Sequence, residues 1–593
     1  MHWLDWTILL AVAAGTVLLA LYTRKFTRSV ADFVAANRCA GRYVLGVSEG
    51  IAMIGAISVV LMFEIYYRSG FSAVWWSMMQ LPIGLLVALT GWVVYRYRQT
   101  RAMTLAQFFE ARCSRKFRIF TGFLAFLAGI VNYGIFPAVS ARFFICFCGL
   151  PPVFNLAGFE ISTFPVLMAI FLGLALTGVF LGGQIAIIIS DFLQGIFCNL
   201  VFLTVTIYCF WRFDWNQVVE TASLTEHGRS MFDPMLGGIG DEFGFVFFFI
   251  GALQLFFNNI GWQGRSGFNV AAKSPHEAKM AKVLGTWRSM IAGVVMVVIP
   301  VFVFALMQMP SEAALAGEIN RAVGEIADPQ MQTQMFIPVA ITRIFPIGIL
   351  GLFAAMMFCA MVTTDQPYIH SWGSILVQDV IQPLYGKPLP PKWHMWLLRG
   401  SITFVAVFAF CFSLLFHQTT YIAMFFAITG AIFLGGAGAV IIGGLYWRRG
   451  TTAAAWTTMI VGATIAISGI VIGQIRPDFP LNGMHMTGIT MAVSLLIYVT
   501  VSLLTCRVPF NLDRMLHRGE YADGGGEEIP TGWKALITPE FSRGDKLIYL
   551  AVIVWTFGLF GVFAAGTIIG KTVGIGFAAW AAFWKIYIIT TGV

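Results

Sequence analysis

The stretch FCAMVTTDQPYIHSWG, Phe358–Gly373, begins as membrane helix and then turns polar. Thr363, Thr364, Asp365, Gln366 and Pro367 follow one another directly after an apolar run that reaches back to residue 341. Polar side chains are costly in hydrocarbon, so a span that carries them turns them toward a cavity or a protein partner. The two threonines offer hydroxyl oxygens, and Ala360, about one helical turn earlier, can offer its carbonyl. These are hard oxygen donors of the kind an alkali cation accepts, without the full negative charge that would hold the ion permanently. The alternative is local: each threonine hydroxyl can bond a carbonyl one turn back in its own helix. Asp365 points about 100° away from Thr364, toward a gate or a cytoplasmic partner. Pro367 removes a helix hydrogen bond and predicts a local irregularity there.

Outward from this stretch the chain reads as membrane throughout. Of its 593 residues 58% are apolar and 11% charged, less than half the charged share of a soluble domain. Apolar runs long enough to cross a bilayer recur at 4–22, 46–67, 73–95, 117–146, 162–181, 184–210, 240–261, 287–308, 341–365, 396–416, 420–446, 453–474, 483–505 and 546–569. These fourteen spans predict an all-α polytopic membrane protein, since a helix satisfies its own backbone in lipid. The final stretch 573–591, which contains Lys585, is a further span, a re-entrant piece or an interfacial helix. Asp5 precedes the first run, with no basic region before it, so that run is expected to be a retained span and not a cleaved leader.

The net charge of +9 matters through its placement. Arg24, Lys25 and Arg28 follow the first span; Arg96, Arg101, Arg115 and Arg118 lie after the third; Arg448 and Arg449 follow the eleventh; Arg507, Arg514 and Arg518 follow the thirteenth. Basic clusters after odd-numbered spans predict that these loops are cytoplasmic and the N-terminus outside, in a plasma (inner) membrane. No basic domain suggests nucleic acid. The 9 cysteines form no CxxC pair, and the 8 histidines form no HExxH or comparable cluster, so an enzyme is not expected. Loop 506–545, with its ADGGGEE, reads as a cytoplasmic connector.

Two further segments concentrate polar groups. GVSEGIAMIGAISVVLMFEIYYRSG, residues 46–70, holds Ser48, Glu49, Ser58, Glu64 and Tyr66 around Gly50 and Gly55. It fits a helix broken midway, whose freed carbonyls can coordinate a cation, or an intact helix packed through small residues. Glu64 either binds solute or pairs with Arg68 at the membrane edge. In the span from 184 to 210, Ser190, Asp191 and Gln194 fall close together; Asp191 is a tuning charge for a cation site, a helix cap or a partner for loop arginines.

Several ordered motifs resemble the sodium:solute symporter family. They are RSVADFVAANRCAG (28–41), MTLAQFFEARCSRKFR (103–118), GGQIAIIISDFLQG (182–195), GLFAAMMFCAMVTTDQPYIHSWGSILVQD (351–379) and GGLYWRRG (443–450), and the likeness covers most of 1–565. The resemblance implies a five-plus-five inverted-repeat transporter core with flanking helices. The expected division is an N-terminal span and loop at 1–45, repeats at 46–210 and 240–446, and flanking spans at 453–593. It implies a sodium site in which the hydroxyls fall on Thr363 and Thr364, carbonyls on Ala360, Ile51 and Ile54, and the nearby aspartate on Asp191. Na+ is then the one metal ion expected, beside a small organic solute and membrane lipid, with no obligate protein partner. The implied function is sodium-coupled symport of the solute into the cytoplasm by alternating access. The chain departs from the family at Asp365, Gln366, Pro367, His370 and Glu64. Glu64, Tyr66, Asp365, Gln366 and His370 are therefore candidates for solute binding or gating, and the alternative function is a transporter-like membrane solute sensor.

Overall fold

In a computed structural model the described residues are all but 91, 103, 157, 224–230, 232–233, 235–241, 259, 265, 477, 522–536, 538–539, 574–584 and 586–593. Most of the 506–545 connector beyond 521, and nearly all of the final stretch 573–591, lie outside them. The first part of the chain folds into α1 (Trp3–Thr23), α2 (Val30–Ala35), α3 (Arg42–Ala52), α4 (Ala56–Thr90), α5 (Val94–Gln99), α6 (Leu105–Arg112), α7 (Arg115–Tyr133) and α8 (Phe136–Cys148). A short antiparallel hairpin, β1 (Val153–Leu156) with β2 (Phe159–Ser162), leads into α9 (Thr163–Arg212) and α10 (Trp215–Ser223). Then come α11 (Phe245–Phe257), α12 (Ser266–Ala271), α13 (Pro275–Gln308), α14 (Ala313–Gly324), α15 (Pro329–Ile344), α16 (Ile349–Ile375), α17 (Gln382–Tyr385) and α18 (Pro391–Leu415). The chain continues through α19 (Ile422–Tyr446), α20 (Thr452–Ile475), α21 (Gly483–Thr505), α22 (Leu512–Met515) and α23 (Arg543–Val573).

Among the described residues nine helices are long and apolar enough to cross a membrane. Two of them run through more than one expected span: α9 holds 162–181 and 184–210, and α4 holds the second half of 46–67 and most of 73–95. In α4 the helix turns at Gly70 (φ 50°, ψ −136°), and in α9 at Gly183 (φ 50°, ψ −142°). This backbone region is open to glycine and strained for other residues. The spans expected at 240–261, 287–308 and 546–569 fall on α11, α13 and α23. Of these, α11 is shorter than its apolar run because the chain leaves the helix at Asn258.

Two expectations for the opening stretch are corrected. The helix runs from Ile349 to Ile375, so Thr363 and Thr364 sit in its middle and not at its end. The polar residues after Thr364 are buried in protein, so lipid does not force the helix to stop there. Pro367 lies inside unbroken helix. The irregular turn comes later, as a π-helical segment at Leu376–Ile381.

Helix α16 is the most enclosed: nearly every residue from Leu350 to Ile375 is buried. It packs against α9, α1, α18 and α3. The carboxylate of Asp5 accepts from the Gly348 and Gly351 amides at 2.7 and 3.0 Å, tying the start of α1 to the start of α16. These are amides at a helix N-terminus, which lack partners in their own helix.

Candidate functional site

The expected first broken span is broken. Helix α3 ends at Ala52, and α4 starts at Ala56. The hydroxyl of Thr364 reaches into this gap and donates to the Ala52 carbonyl at 3.3 Å. Gly55 makes the approach feasible, since a Cβ there would lie 2.6 Å from Thr364 Oγ1. Thr363 donates to the Ala360 carbonyl at 3.1 Å, in its own helix. The Ile51 carbonyl is taken up by the Ile54 amide at 2.8 Å, closing the last turn of α3. The carbonyl at the threonine pair is therefore that of Ala52, which sequence reasoning did not single out. The only signal for it was the Gly55 that follows.

Asp191 comes level with these groups. Phe33 touches both Gly183 of α9 and His370 of α16. At the other end Cys198 of α9 lies 3.8 Å from the Met356 carbonyl of α16. The two segments thus run antiparallel between these anchors. Asp191 precedes Cys198 by as many residues as Thr363 follows Met356, so equal helical rise sets them at one height. Ser48 of α3 donates to the Ile188 carbonyl at 2.8 Å, which brings the end of α3 to the same part of α9. Asp191 is fully buried, and its Oδ2 has no hydrogen-bond partner among the described residues. A buried carboxylate oxygen without a partner among the described residues, at the height of these hydroxyls and carbonyls, suits a cation of hard-oxygen preference. Among the described residues no group of three His, Cys, Asp or Glu side chains converges as a transition-metal site would need.

A separate cavity of about 650 Å³ opens between α4, α7, α11, α16, α19 and α21. Tyr66, Ser77 and Gln80 of α4, Asn132 of α7, Gln254 of α11, Asn258 and Trp262 after it, Tyr368 of α16 and Thr487 of α21 supply its polar groups. Phe247, Phe248 and Phe426 supply much of the apolar wall. No Asp, Glu, Lys, Arg or His is among the described residues that line it. Gln80 donates to the Phe248 carbonyl at 2.7 Å, and Asn132 to Thr429 Oγ1 at 2.8 Å. Asn258 keeps a buried Oδ1 without a hydrogen-bond partner among the described residues.

Of the gating and solute candidates, only Tyr66 lines this cavity. Glu64 is buried, accepts the Ile422 amide at 3.1 Å and meets Gln330 Nε2 at 3.4 Å. It caps α19, where a carboxylate suits both the free amides and the helix dipole. The pairing of Glu64 with Arg68 is not formed; the more exposed Arg68 meets Glu242 at 3.7 Å instead. Asp365 sits beside the Tyr133 hydroxyl, and its Oδ2 has no partner in bonding geometry among the described residues. Gln366 packs against Gly178, on the far side of α16 toward α1 and α9. His370 Nε2 lies 3.0 Å from the Phe33 carbonyl and joins α16 to α2. Gln80, Asn132, Asn258, Trp262 and Tyr368 were missed. Asn132 and Asn258, amides within or at the end of apolar runs, carried a readable signal; Tyr368 is visible only once the helix is seen to continue past Pro367.

A helix opened in mid-span, the Thr364 hydroxyl reaching into the opening and a large cavity define a polytopic transporter of the broken-helix class. The sodium:solute symporter family model matches residues 33–462, and the chain belongs to that family. It is 22% identical over 521 residues to a sodium/proline symporter of Staphylococcus aureus, covering 85% of this chain and 93% of that one. It is 25% identical over 466 residues to a sodium/pantothenate symporter of Haemophilus influenzae, covering 77% and 87%. Among solved structures it is similar to a Na+-coupled sialic acid symporter in a substrate-bound outward-open state. There the TM-score is 0.66 at 16% identity, over 86% of this chain and 99% of that one, a likeness of fold.

Proposed function

We propose that the protein carries a small organic solute into the cytoplasm together with sodium, by alternating access across the plasma membrane. The observation that carries this reading is the Thr364 hydroxyl set 3.3 Å from the Ala52 carbonyl at the break between α3 and α4, with Asp191 at the same height. Sodium is held by the hydroxyls of Thr363 and Thr364 and the carbonyls of Ala360 and Ala52. Ile51 and Ile54 shape the turn beside it, and Asp191 supplies charge without closing the site. The breaks at 53–55 and after Phe257 fall in the first helix of each expected repeat, which supports a core built from residues 46–210 and 240–446.

The solute occupies the cavity bounded by Gln80, Asn132, Asn258 and Tyr368. A net charge brought into a lining without counter-charge pays its full desolvation cost. The preferred solute is therefore uncharged there or carries its own internal counter-charge. One sodium ion moving down about 100 mV gains roughly 2.3 kcal/mol, enough for about 50-fold accumulation. Uptake by reconstituted vesicles tests the coupling. Accumulation should require an inward sodium gradient, and equal accumulation in sodium and in potassium would refute the reading.

A further inference from the structure

A second cavity, of about 430 Å³, lies away from the transport path, where α4 leads into α5, α19 ends and the 512–518 segment crosses. Four arginines line it: Arg96, Arg448, Arg449 and Arg518. One carboxylate lines it with them, Asp513, which pairs with Arg448 at 2.8 Å. Arg96 spends Nη1 on the Leu445 carbonyl at 2.9 Å and lies 4.1 Å over the Tyr446 ring. Arg518 gives Nε and Nη2 to one amide oxygen, that of Gln99. Three positive charges thus face a cavity with no carboxylate of their own among the described residues. Burial first, and then the charge of Arg96, push the Arg518 guanidinium below its ordinary pKa, against the opposing charge of Asp513.

We propose that this cavity is a binding site for a phosphate-bearing anion. Like charges converge there around a space large enough for a phosphate group, and guanidinium forks match phosphate oxygens in pairs. The positive-inside reading puts the site on the cytoplasmic face. Tyr446 and Trp447, at the end of an apolar helix, set its height near the lipid head groups. The same phosphate chemistry is offered by an anionic phospholipid and by soluble phosphate. Either would join the ends of α5 and α19 to the 512–518 segment. At its other end α19 lines the solute cavity through Ala423 and Phe426, so occupancy would bear on a helix that transport must use.

The test uses the purified full chain in nanodiscs of phosphatidylcholine, with and without phosphatidylglycerol. Thermal unfolding is followed against inorganic phosphate, with sodium chloride at matched ionic strength as control. Stabilisation by phosphatidylglycerol alone identifies a lipid head group, and stabilisation by phosphate in neutral discs identifies a soluble ligand; both support the site. R449Q alters an exposed side chain and should fold normally, yet should weaken the apparent affinity about tenfold, with a larger loss when R518Q is added. No stabilisation beyond the chloride control, or the same stabilisation in R449Q and in the double variant, overturns the proposal. Sodium-driven uptake is measured in parallel, because a failure of transport leaves these binding outcomes unaffected.

Discussion

Thr364 meets a carbonyl of another helix, whereas Thr363 bonds within its own, and this difference can be measured. T364A removes one oxygen with little change in volume. If that oxygen is worth about 1.4 kcal/mol, sodium half-saturation should rise about tenfold, while T364S should be nearly silent. Solute affinity at fixed sodium should fall in T364A and recover as sodium is raised, since coupling between two sites is reciprocal. Unchanged sodium half-saturation in T364A would reduce Thr364 to a structural bond across the break. Glu64 and Asn132 make the opposite pair. Glu64 caps α19 and does not line the solute cavity, so E64Q should leave solute half-saturation unchanged and lower stability by about 0.3–1 kcal/mol. N132A should raise solute half-saturation about tenfold. Thermal melts and uptake curves on both variants separate a cap from a contact, and weakened solute affinity in E64Q would return that carboxylate to the binding site.

At the scale of elements, the site depends on how closely α16 approaches the break. Gly55 leaves room for Thr364 and nothing more: a Cβ would sit 2.6 Å from Oγ1 and 2.9 Å from the threonine Cβ. G55A should therefore push the two apart and weaken sodium at least as much as T364A does, without touching an oxygen donor. A sodium titration of G55A indistinguishable from the parent would mean that the break is not the ion's seat. Gly70 works differently. Its φ of 50° and its contact with Met231, at 2.5 Å from a built Cβ to Sδ, make G70A a stability variant, costing about 1–3 kcal/mol, to be read from melting. These elements also show what a sequence discloses. Hydrophobic runs revealed the spans because lipid imposes length and polarity on each separately. The paired threonines stood out because a carboxylate, an amide and a proline follow them directly, a polar cluster that lipid penalises. The cavity wall did not stand out: Gln80, Asn132 and Tyr368 are far apart in the chain and become one surface only when α4, α7 and α16 pack. The end of α16 was misread for the same reason, since Asp365 and His370 look like loop residues until their buried surroundings are known.

At the scale of the whole molecule, one polar cluster binds the first broken helix to the last span. Arg42, at the start of α3, donates to Glu277 at the start of α13, with Nε to Oε1 at 3.0 Å, and to Asp545 at the start of α23. His276 Nε2 lies 3.0 Å from Asp545 Oδ2, and the Ser542 amide donates to the same oxygen at 3.0 Å. Burial opposes the charge on Asp545. The hydrogen bonds from His276 and Ser542, with the Arg42 guanidinium, outweigh it and hold the carboxyl at about 2. The Arg42 hydrogen bond and charge likewise hold Glu277 below its ordinary value, and Glu277 in turn raises Arg42. Each carboxylate is thus more acidic folded than unfolded. The stability it contributes is fully present above its unfolded pKa, about 4 for an aspartate, and is lost as pH falls through its folded value. Among the described residues α23 packs chiefly on α4 and α13, so this cluster is a principal tie between it and the core. D545N should therefore speed hydrogen exchange at the start of α23 at neutral pH and leave exchange in α16 unaltered. In the parent, the same local loosening should set in only as pH drops from about 4 toward 2, and D545N should lack most of that acid step. A parent whose α23 exchanges no faster at low pH than expected from intrinsic chemistry, or a D545N protein with unchanged α23 protection, would show that apolar packing against Leu85, Met280 and Val283 holds the last span by itself.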